Sequence, residues 1–437
     1  MTAFQIYGGV PLQGEVRVQG SKNAALPVMA AALLTGDVCL IKNCPQITDV
    51  AHMTSLLTGL GCEVRRTGEG YQIDSRHAVP CGMSGEAITG MRSSLCLLGA
   101  MLGRFGEAKM DYPGGCVIGV RPIDLHLKTL EQMGVIFERE DGQMSARAER
   151  LHGADIKLPI PSVGVTENLI LAAVCADGDT NISGAALEPE IEVLCRFLIS
   201  CGAAIEGIGS PDLHILGERK LHGTQFRVPT DRIVAGTYLF ACVGCGGNVF
   251  LKDAPIAQMR AVIDIAERMG ARCNIIADER MPEDRAESPF GHGYAGEQGL
   301  YVQGPERPRP IDRLRTQVYP GFPTDLQSVA LAVLTCAEGD SIVEETIFEN
   351  RFRVLDPLKA MGADVEQISS EKVLIRGVER LRGTKVEAKE LRGGAALVTA
   401  GLMAEGMCEV SGCGYIERGY ENICKDLKDL GARIVSV

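Results

Sequence analysis

The chain has 437 residues, too many for one ordinary hydrophobic core, so its length predicts two domains. Its hydrophobic share of 46% and charged share of 23% are those of a folded globular protein, and 52 glycines with no tryptophan point to many short elements joined by tight turns. A net charge of -12 excludes a nucleic-acid backbone as partner and leaves room for a small anion only where Arg and Lys cluster locally.

The 16 cysteines are scattered, and several, such as Cys96 and Cys175, sit inside apolar runs where a thiol acts as a small hydrophobe. A reducing cytoplasm fits that usage better than an oxidising compartment. The opening MTAFQIYGGV has no basic segment followed by an apolar run, so no signal peptide is expected. The apolar stretch 24–34 is too short, and interrupted by Pro27, to cross a bilayer, so a soluble protein is expected.

From the N-terminus, GSKNAAL opens a small-residue helix with Lys22 and Asn23 in its first turn. Free backbone N–H groups and the helix dipole favour an anion there, although a Lys beside a helix start is more often simply solvated. The next helical stretch runs into LLTGLGCEV at Gly61, and this phrase, a helix ending in Gly before a short strand, then recurs. It returns at Gly134, Gly202, Gly270, Gly362 and Gly431, at steps of roughly 70 residues with one longer step before Gly362. Each Gly falls where a helix stops and the chain reverses, the position that favours a positive φ. Upstream of most copies lie a small-residue helix, a Gly-containing turn and a β-rich stretch, as in TENLILAAVCADGDTNISG and GGAALVTAGLMAEGMCEVSG. The pattern predicts six α/β units, three per domain. The charged, Pro- and Gly-containing segment ADERMPEDRAESPFGHGYAGEQ in the longer step is predicted to be an exposed loop or flap.

Between the repeats lie segments with more chemistry than a turn needs. MRSSLCLLGAMLGRFG places Arg92 at the opening of another small-residue helix. YPGGCVIGVRPIDLHL puts Cys116 in a Gly-rich stretch without charge, outside any periodic apolar face, and follows it with Arg121, Asp124 and His126. A loop thiol near cations titrates lower and serves as a proton carrier or a nucleophile. YPGFPTDLQ sets Asp325 at a helix start, as a cap or a functional carboxylate. ETIFENRF carries Arg351, with Glu344, Glu345 and Glu349 as its acidic neighbours. Cys242 and Cys245 form a C-x-x-C, but in an apolar run and with no second pair at metal spacing.

Taken in order, GSKNAALP, MRSS…LGAMLGRFG, PGGCVIGVRPIDLHL, PSVGVTEN, EPEI, PTDRI, GFPTDLQ, ETIFENRF, ELRGGAALV and ERGYE resemble one family along almost the whole chain. That family is UDP-N-acetylglucosamine 1-carboxyvinyltransferase, the enolpyruvyl transferases of peptidoglycan synthesis. The resemblance implies two inside-out α/β barrel domains, each of three βαβαββ-type units. One would span 22–229 and carry the Cys116 loop; the other would combine 1–21 with 230–437. A chain that starts in one domain, builds the other and returns would leave a cleft spanned by two crossings, near Gly20–Lys22 and Pro229–Arg232.

The resemblance also implies roles. Lys22, Arg121, Arg392 and Arg418 would hold the phosphate and carboxylate of phosphoenolpyruvate. Asn23, Arg92, Asp325 and Ile347 would contact the UDP-sugar. Arg121, Pro122, Ile123, Asp124 and Leu125, with Ser162, Val163 and Gly164, would line its uridine diphosphate end. Cys116 would donate a proton and form the covalent adduct with fosfomycin, and Asp325 would take the hydroxyl proton. No metal or organic cofactor is implied, and the partners are the two small-molecule substrates. The chain departs from the family at Glu390, where Asp is usual, and at Ile160, where some members place Lys. The runner-up is the shikimate-pathway enolpyruvyl transferase of the same fold, against which the Cys116 loop and RPIDLHL stand. A non-catalytic UDP-sugar sensor is the alternative of another class.

Overall fold

The computed structural model describes residues 3–85, 88, 90–112, 123–140, 142–277 and 297–437. The predicted flap within 277–298 therefore lies almost wholly outside the described residues.

The described strands form six separate sheets, not one continuous barrel wall, and all six follow one plan. A short strand lies parallel to a second, and two further strands continue the sheet antiparallel. Asp155–Lys157, Thr180–Ser183, Asp212–Leu216 and Ala204–Glu206 show it in that spatial order. Leu314–Arg315, Asp340–Glu344, Lys372–Arg376 and Asp364–Ser369 repeat it. Glu107–Asp111, Gln143–Arg147 and Ile136–Glu140 form a three-stranded copy, in which Met83 supplies only a single parallel bridge to Met110.

The other three sheets are completed by chain far away in sequence. Gln225–Arg227 is the short strand beside Val38–Lys42, and Leu12–Arg17 is the one beside Gly247–Lys252. The last sheet pairs Lys385–Glu387 with Met407–Ser411, then takes Phe4–Tyr7 as the strand next to Arg433–Ser436. Each set of three units is thus sewn shut by its own first or last strand.

Two compact units result: one from residues 1–19 and 230–437, the other from residues 20–229, apart from a few positions that are not described. Each has its own apolar core. In the 20–229 unit, the helices Lys22–Ala32, Cys96–Phe105 and Val163–Ala173 lie inside, and Ala24 to Ala32 are buried without a break. In the other unit, Arg232–Cys245, Thr324–Leu334 and Leu391–Met403 pack on one another in the same manner. A helix apolar all round is an interior helix. Small residues let such helices approach: a Cβ at Gly99 would stand 2.4 Å from Asn168 O, and one at Gly236 would stand 2.3 Å from Leu326 Cδ1.

The six repeated glycines all adopt positive φ, from +85° at Gly61 and Gly431 to +103° at Gly202. They are the reversal points predicted from the phrase. Gly362 has nothing within 4 Å of a would-be Cβ, whereas at Gly61 the carbonyl of His77 would be 2.9 Å away. Gly362→Ala should therefore lose only the left-handed backbone penalty, about 1–2 kcal/mol. Gly61→Ala should lose more, because backbone must also shift. Urea unfolding of the two variants against the parent checks this ordering.

Candidate functional site

In the 20–229 unit, Ser21 caps the helix Lys22–Ala32, its hydroxyl accepting from Ala24 N at 3.4 Å, and leaves Lys22 and Asn23 in the first turn. Lys22 is not simply solvated: its Nζ stands 2.6 Å from Oδ2 of Asp49, a carboxylate only 1% exposed. Asn23 donates to Glu190 at 3.4 Å. Glu190 shares its surroundings with Glu167, where burial, and then the charges of Glu190 and Glu188, hold the carboxyl far above the usual range.

Arg92 begins the short 3-10 turn Arg92–Leu95 that leads into Cys96–Phe105, and its charge acts on His126. Ile123 is buried at the start of Asp124–Glu131, which carries Asp124 and Leu125 in its first turn. Ser162, Val163 and Gly164 begin the helix Val163–Ala173, where Ser162 makes no capping bond. Cys116, Arg121 and Pro122 lie outside the described residues.

In the other unit, Asp325 is the centre of a charged cluster. It sits in the first turn of Thr324–Leu334, two residues after the cap position, which Pro323 occupies. Its Oδ1 accepts from Arg351 at 2.6 Å and its Oδ2 from Arg392 at 2.7 Å. Burial alone would raise this carboxyl, but Arg392 and Arg351 overrule it and hold it well below the carboxylate range. Arg392 is raised in turn: burial works against its charge, and Asp325 with Tyr420 and Asp231 outweighs it.

Both guanidiniums are almost fully buried, Arg351 at 3% and Arg392 at 6% exposure. Each has further support. Arg351 Nε donates to Thr324 Oγ1 at 3.3 Å, and its guanidinium lies 5.3 Å from the centre of the Phe348 ring. Arg392 bonds Tyr420, whose hydroxyl also meets Thr237 Oγ1 at 2.8 Å. Arg418 closes the turn Cys413–Arg418, two residues before Tyr420. Gln19 grips the backbone just beyond it, donating to Gly419 O at 3.1 Å and accepting from Glu421 N at 2.8 Å.

Among the described residues Arg351 forms its ion pairs with Asp325 and Glu390, not with its acidic neighbours Glu344 and Glu345. Glu344 pairs with Arg313, Arg315 and Lys372. Glu345, 1% exposed, organises the following loop by accepting from Ile347 N at 2.7 Å, Phe348 N at 3.1 Å and Thr316 Oγ1 at 3.0 Å. Glu390 caps the helix Leu391–Met403, accepting from Arg392 N at 2.7 Å and from Gly393 N, and stands 3.7 Å from Arg351.

A central carboxylate between two buried guanidiniums, in a chain whose units are six copies of one plan, can be compared with known proteins. The family model described as EPSP synthase (3-phosphoshikimate 1-carboxyvinyltransferase) matches residues 6–427. The chain belongs to the EPSP synthase family. Among curated relatives in this family, UDP-N-acetylglucosamine 1-carboxyvinyltransferase 2 of Caldanaerobacter subterraneus is 43% identical over 437 residues, covering 100% of both chains. UDP-N-acetylglucosamine 1-carboxyvinyltransferase of Corynebacterium efficiens is 41% identical, covering 99% of this chain and 98% of its own. The solved enolpyruvyl transferase NikO from Streptomyces tendae superposes with a TM-score of 0.84 at 22% identity, over 100% of this chain and 99% of its own. EPSP synthase from Acinetobacter baumannii gives 0.73 at 20% identity, over 100% of both chains. The enolpyruvyl transferase fold is thereby shared along the whole length. No helix among the described residues is long and apolar enough to cross a membrane.

Residue reading missed Asp49, Glu190 and Asn168 in this family member. EPEI and TEN carry two of them as motifs, but nothing in the sequence pairs Asp49 with Lys22.

The Asp325 cluster sets a stability test. Its folded carboxyl lies below the unfolded value of about 3.9, so its contribution is full above that pH and fades as pH falls through the folded value. Asp325→Asn strands two buried guanidiniums and should cost about 3–5 kcal/mol near neutrality. The deficit against the parent should hold constant above about pH 5 and narrow in acid. Urea titrations at a series of pH values measure it; a deficit that grows in acid contradicts the assignment.

Proposed function

We propose that this chain transfers the enolpyruvyl group of phosphoenolpyruvate to the 3'-hydroxyl of UDP-N-acetylglucosamine, releasing phosphate, as the first committed step of peptidoglycan precursor synthesis in the cytoplasm. The observation that carries the reading is full-length identity of 40–43% to proteins of that name. The two domains of the reading are 22–229, and 1–21 with 230–437.

The reaction is an addition followed by an elimination. A proton goes to the methylene carbon of phosphoenolpyruvate, with Cys116 as donor in this reading, and the sugar oxygen bonds to the neighbouring carbon as it gives its own proton to Asp325. Loss of phosphate and of a methyl proton then restores the double bond. Lys22, Arg121, Arg392 and Arg418 hold the phosphate and carboxylate, with Arg forks matched to both anions. Asn23, Arg92 and Ile347 contact the sugar nucleotide, with Arg121 to Leu125 and Ser162 to Gly164 at its uridine diphosphate end.

The Asp325 pairs bear on timing. A carboxylate held by two cations is a poor base. Phosphoenolpyruvate competes for Arg392, and as that guanidinium turns to the incoming anion Asp325 regains basicity. The base is thus readied by the donor substrate.

Phosphate release in the presence of phosphoenolpyruvate, with each acceptor offered separately, tests the reading. Turnover is expected with UDP-N-acetylglucosamine and not with shikimate 3-phosphate. The reverse preference would place the chain with the shikimate-pathway enzymes, and no release with either would favour a sensor.

Cys116 supplies a second test. Its thiolate would open the epoxide of fosfomycin, forming a carbon–sulfur bond while the ring oxygen leaves its carbon and takes a proton. Intact-mass and peptide spectra should show one adduct, at Cys116, and none at that position in Cys116→Asp, which should keep measurable turnover with an optimum at lower pH. Activity loss with labelling at another cysteine would move the proton donor elsewhere.

A further inference from the structure

The strand Asp340–Glu344 ends one residue before Glu345, a carboxylate 1% exposed. Its two oxygens serve different segments of the chain. Oε1 accepts from Ile347 N, Phe348 N and Thr316 Oγ1, and so fixes the loop that carries Ile347. Oε2 accepts from Thr324 Oγ1 at 2.8 Å, and Thr324 opens the helix that carries Asp325. Glu345 is the acceptor in all four bonds, which is how a carboxylate bonds.

Thr324 passes the contact on. Its hydroxyl gives its one proton to Glu345 and turns a lone pair to Nε of Arg351 at 3.3 Å. The same guanidinium donates through Nη2 to Asp325 Oδ1 at 2.6 Å. Phe348, whose backbone N–H Glu345 holds, lays its ring centre 5.3 Å from that guanidinium. Glu345 thus reaches Arg351 by two routes, and Arg351 reaches Asp325. All of these residues belong to the 230–437 unit.

We propose that Glu345 is a positioning residue that sets the Ile347 loop and the Arg351–Asp325 pair in one fixed relation, with the Thr324 hydroxyl as the link. The proposal rests on the transferase reading above, in which Ile347 meets the sugar nucleotide and Asp325 takes its hydroxyl proton. A hydroxyl and its base must meet at hydrogen-bond distance, and a misplacement of about 1 Å costs about 100-fold in rate. Two segments anchored separately would add their errors of position. Anchored on one carboxylate, they move together.

Variants that cut one arm at a time separate this from a role in folding. Thr324 is only half-buried, and Thr324→Val keeps its shape while removing the hydroxyl, so the bonds to the loop stay whole. In phosphate-release kinetics it should lower kcat about 10- to 100-fold, with KM for UDP-N-acetylglucosamine within about twofold of the parent. Thr324→Ser restores the hydroxyl and should recover most of the rate. Glu345→Gln should repeat the Thr324→Val pattern, and serves if the Val variant does not fold. An amide NH2 only donates, so the one oxygen of that glutamine turns to the two backbone N–H groups and the NH2 faces Thr324, whose hydroxyl loses its acceptor. A Thr324→Val enzyme with the kcat of the parent, or one whose KM for the sugar nucleotide worsens as steeply as kcat, overturns the inference and leaves the transferase reading standing. A parent that does not turn over UDP-N-acetylglucosamine overturns that reading first.

Discussion

A helix buried on every face must pair within the core any polar group along its length, which leaves its ends as the natural place for charged ones. Six interior helices, three in each unit, meet this condition, and the candidate chemistry follows from it. Lys22 and Asn23 open one of them, Ser162 to Gly164 another, Asp325 a third, and Glu390 to Arg392 a fourth. Arg92 sits in the short turn that precedes a fifth, and Asp231 caps the sixth, accepting from Ile233 N at 2.8 Å. First-turn N–H groups without helical partners and the positive end of the dipole recur at each of these positions. A repeat that places a helix N-terminus in the same way six times offers repeated anion-compatible ends, and the side chains there differ in how they use them. Some cap their own helix, as Asp231 and Glu390 do. Others leave the end open, as Ser162 does.

Glu390 shows how such an end absorbs a change of residue. Resemblance to the family leads one to expect an aspartate, and one more methylene moves the carboxylate outward. Here the longer side chain folds back on its own helix start, where it accepts from the backbone of Arg392 and Gly393 and still stands near Arg351. The cap fixes the first turn, and with it the base of the Arg392 side chain. The guanidinium is then aimed by Asp325 and Tyr420, neither of which depends on residue 390. The longer carboxylate is therefore taken up by backbone bonds at its own helix start.

Much of this was legible in the sequence, for reasons that can be named. The six glycines announce themselves because a helix that reverses into a strand needs a positive φ, and Gly202 or Gly362 meets that need without a side chain in the way. Interior helices such as Ala24 to Ala32 are visible as runs of small apolar residues. The sewing strands were not legible: Gln225–Arg227 has three residues, too short for a period-two pattern, and it and Phe4–Tyr7 pair with strands at the far end of the sequence, Val38–Lys42 for the one and Met407–Ser411 and Arg433–Ser436 for the other. Ion pairing failed in the same way. Arg351 has acidic neighbours in sequence, yet it reaches Asp325, 26 residues back, because the fold packs the helix Thr324–Leu334 against the turn that carries Arg351. Glu345, which sequence proximity offered to Arg351, is instead committed to backbone N–H groups of its own loop.

Buried charge explains why the cluster has a second carboxylate. One guanidinium against one carboxylate would neutralise it, but neither Arg351 nor Arg392 has enough exposure to be left to water. Sharing Asp325 between them leaves one positive charge to be met; Glu390, an ion-pair partner of Arg351 at 3.7 Å, meets it, and Thr324 and Tyr420 take further donors of the two side chains. The same sharing holds Asp325 ionised, well below the usual carboxylate range, in spite of its burial. Glu390 is that second carboxylate: it caps its own helix and still stands 3.7 Å from Arg351, so two carboxylates face two guanidiniums.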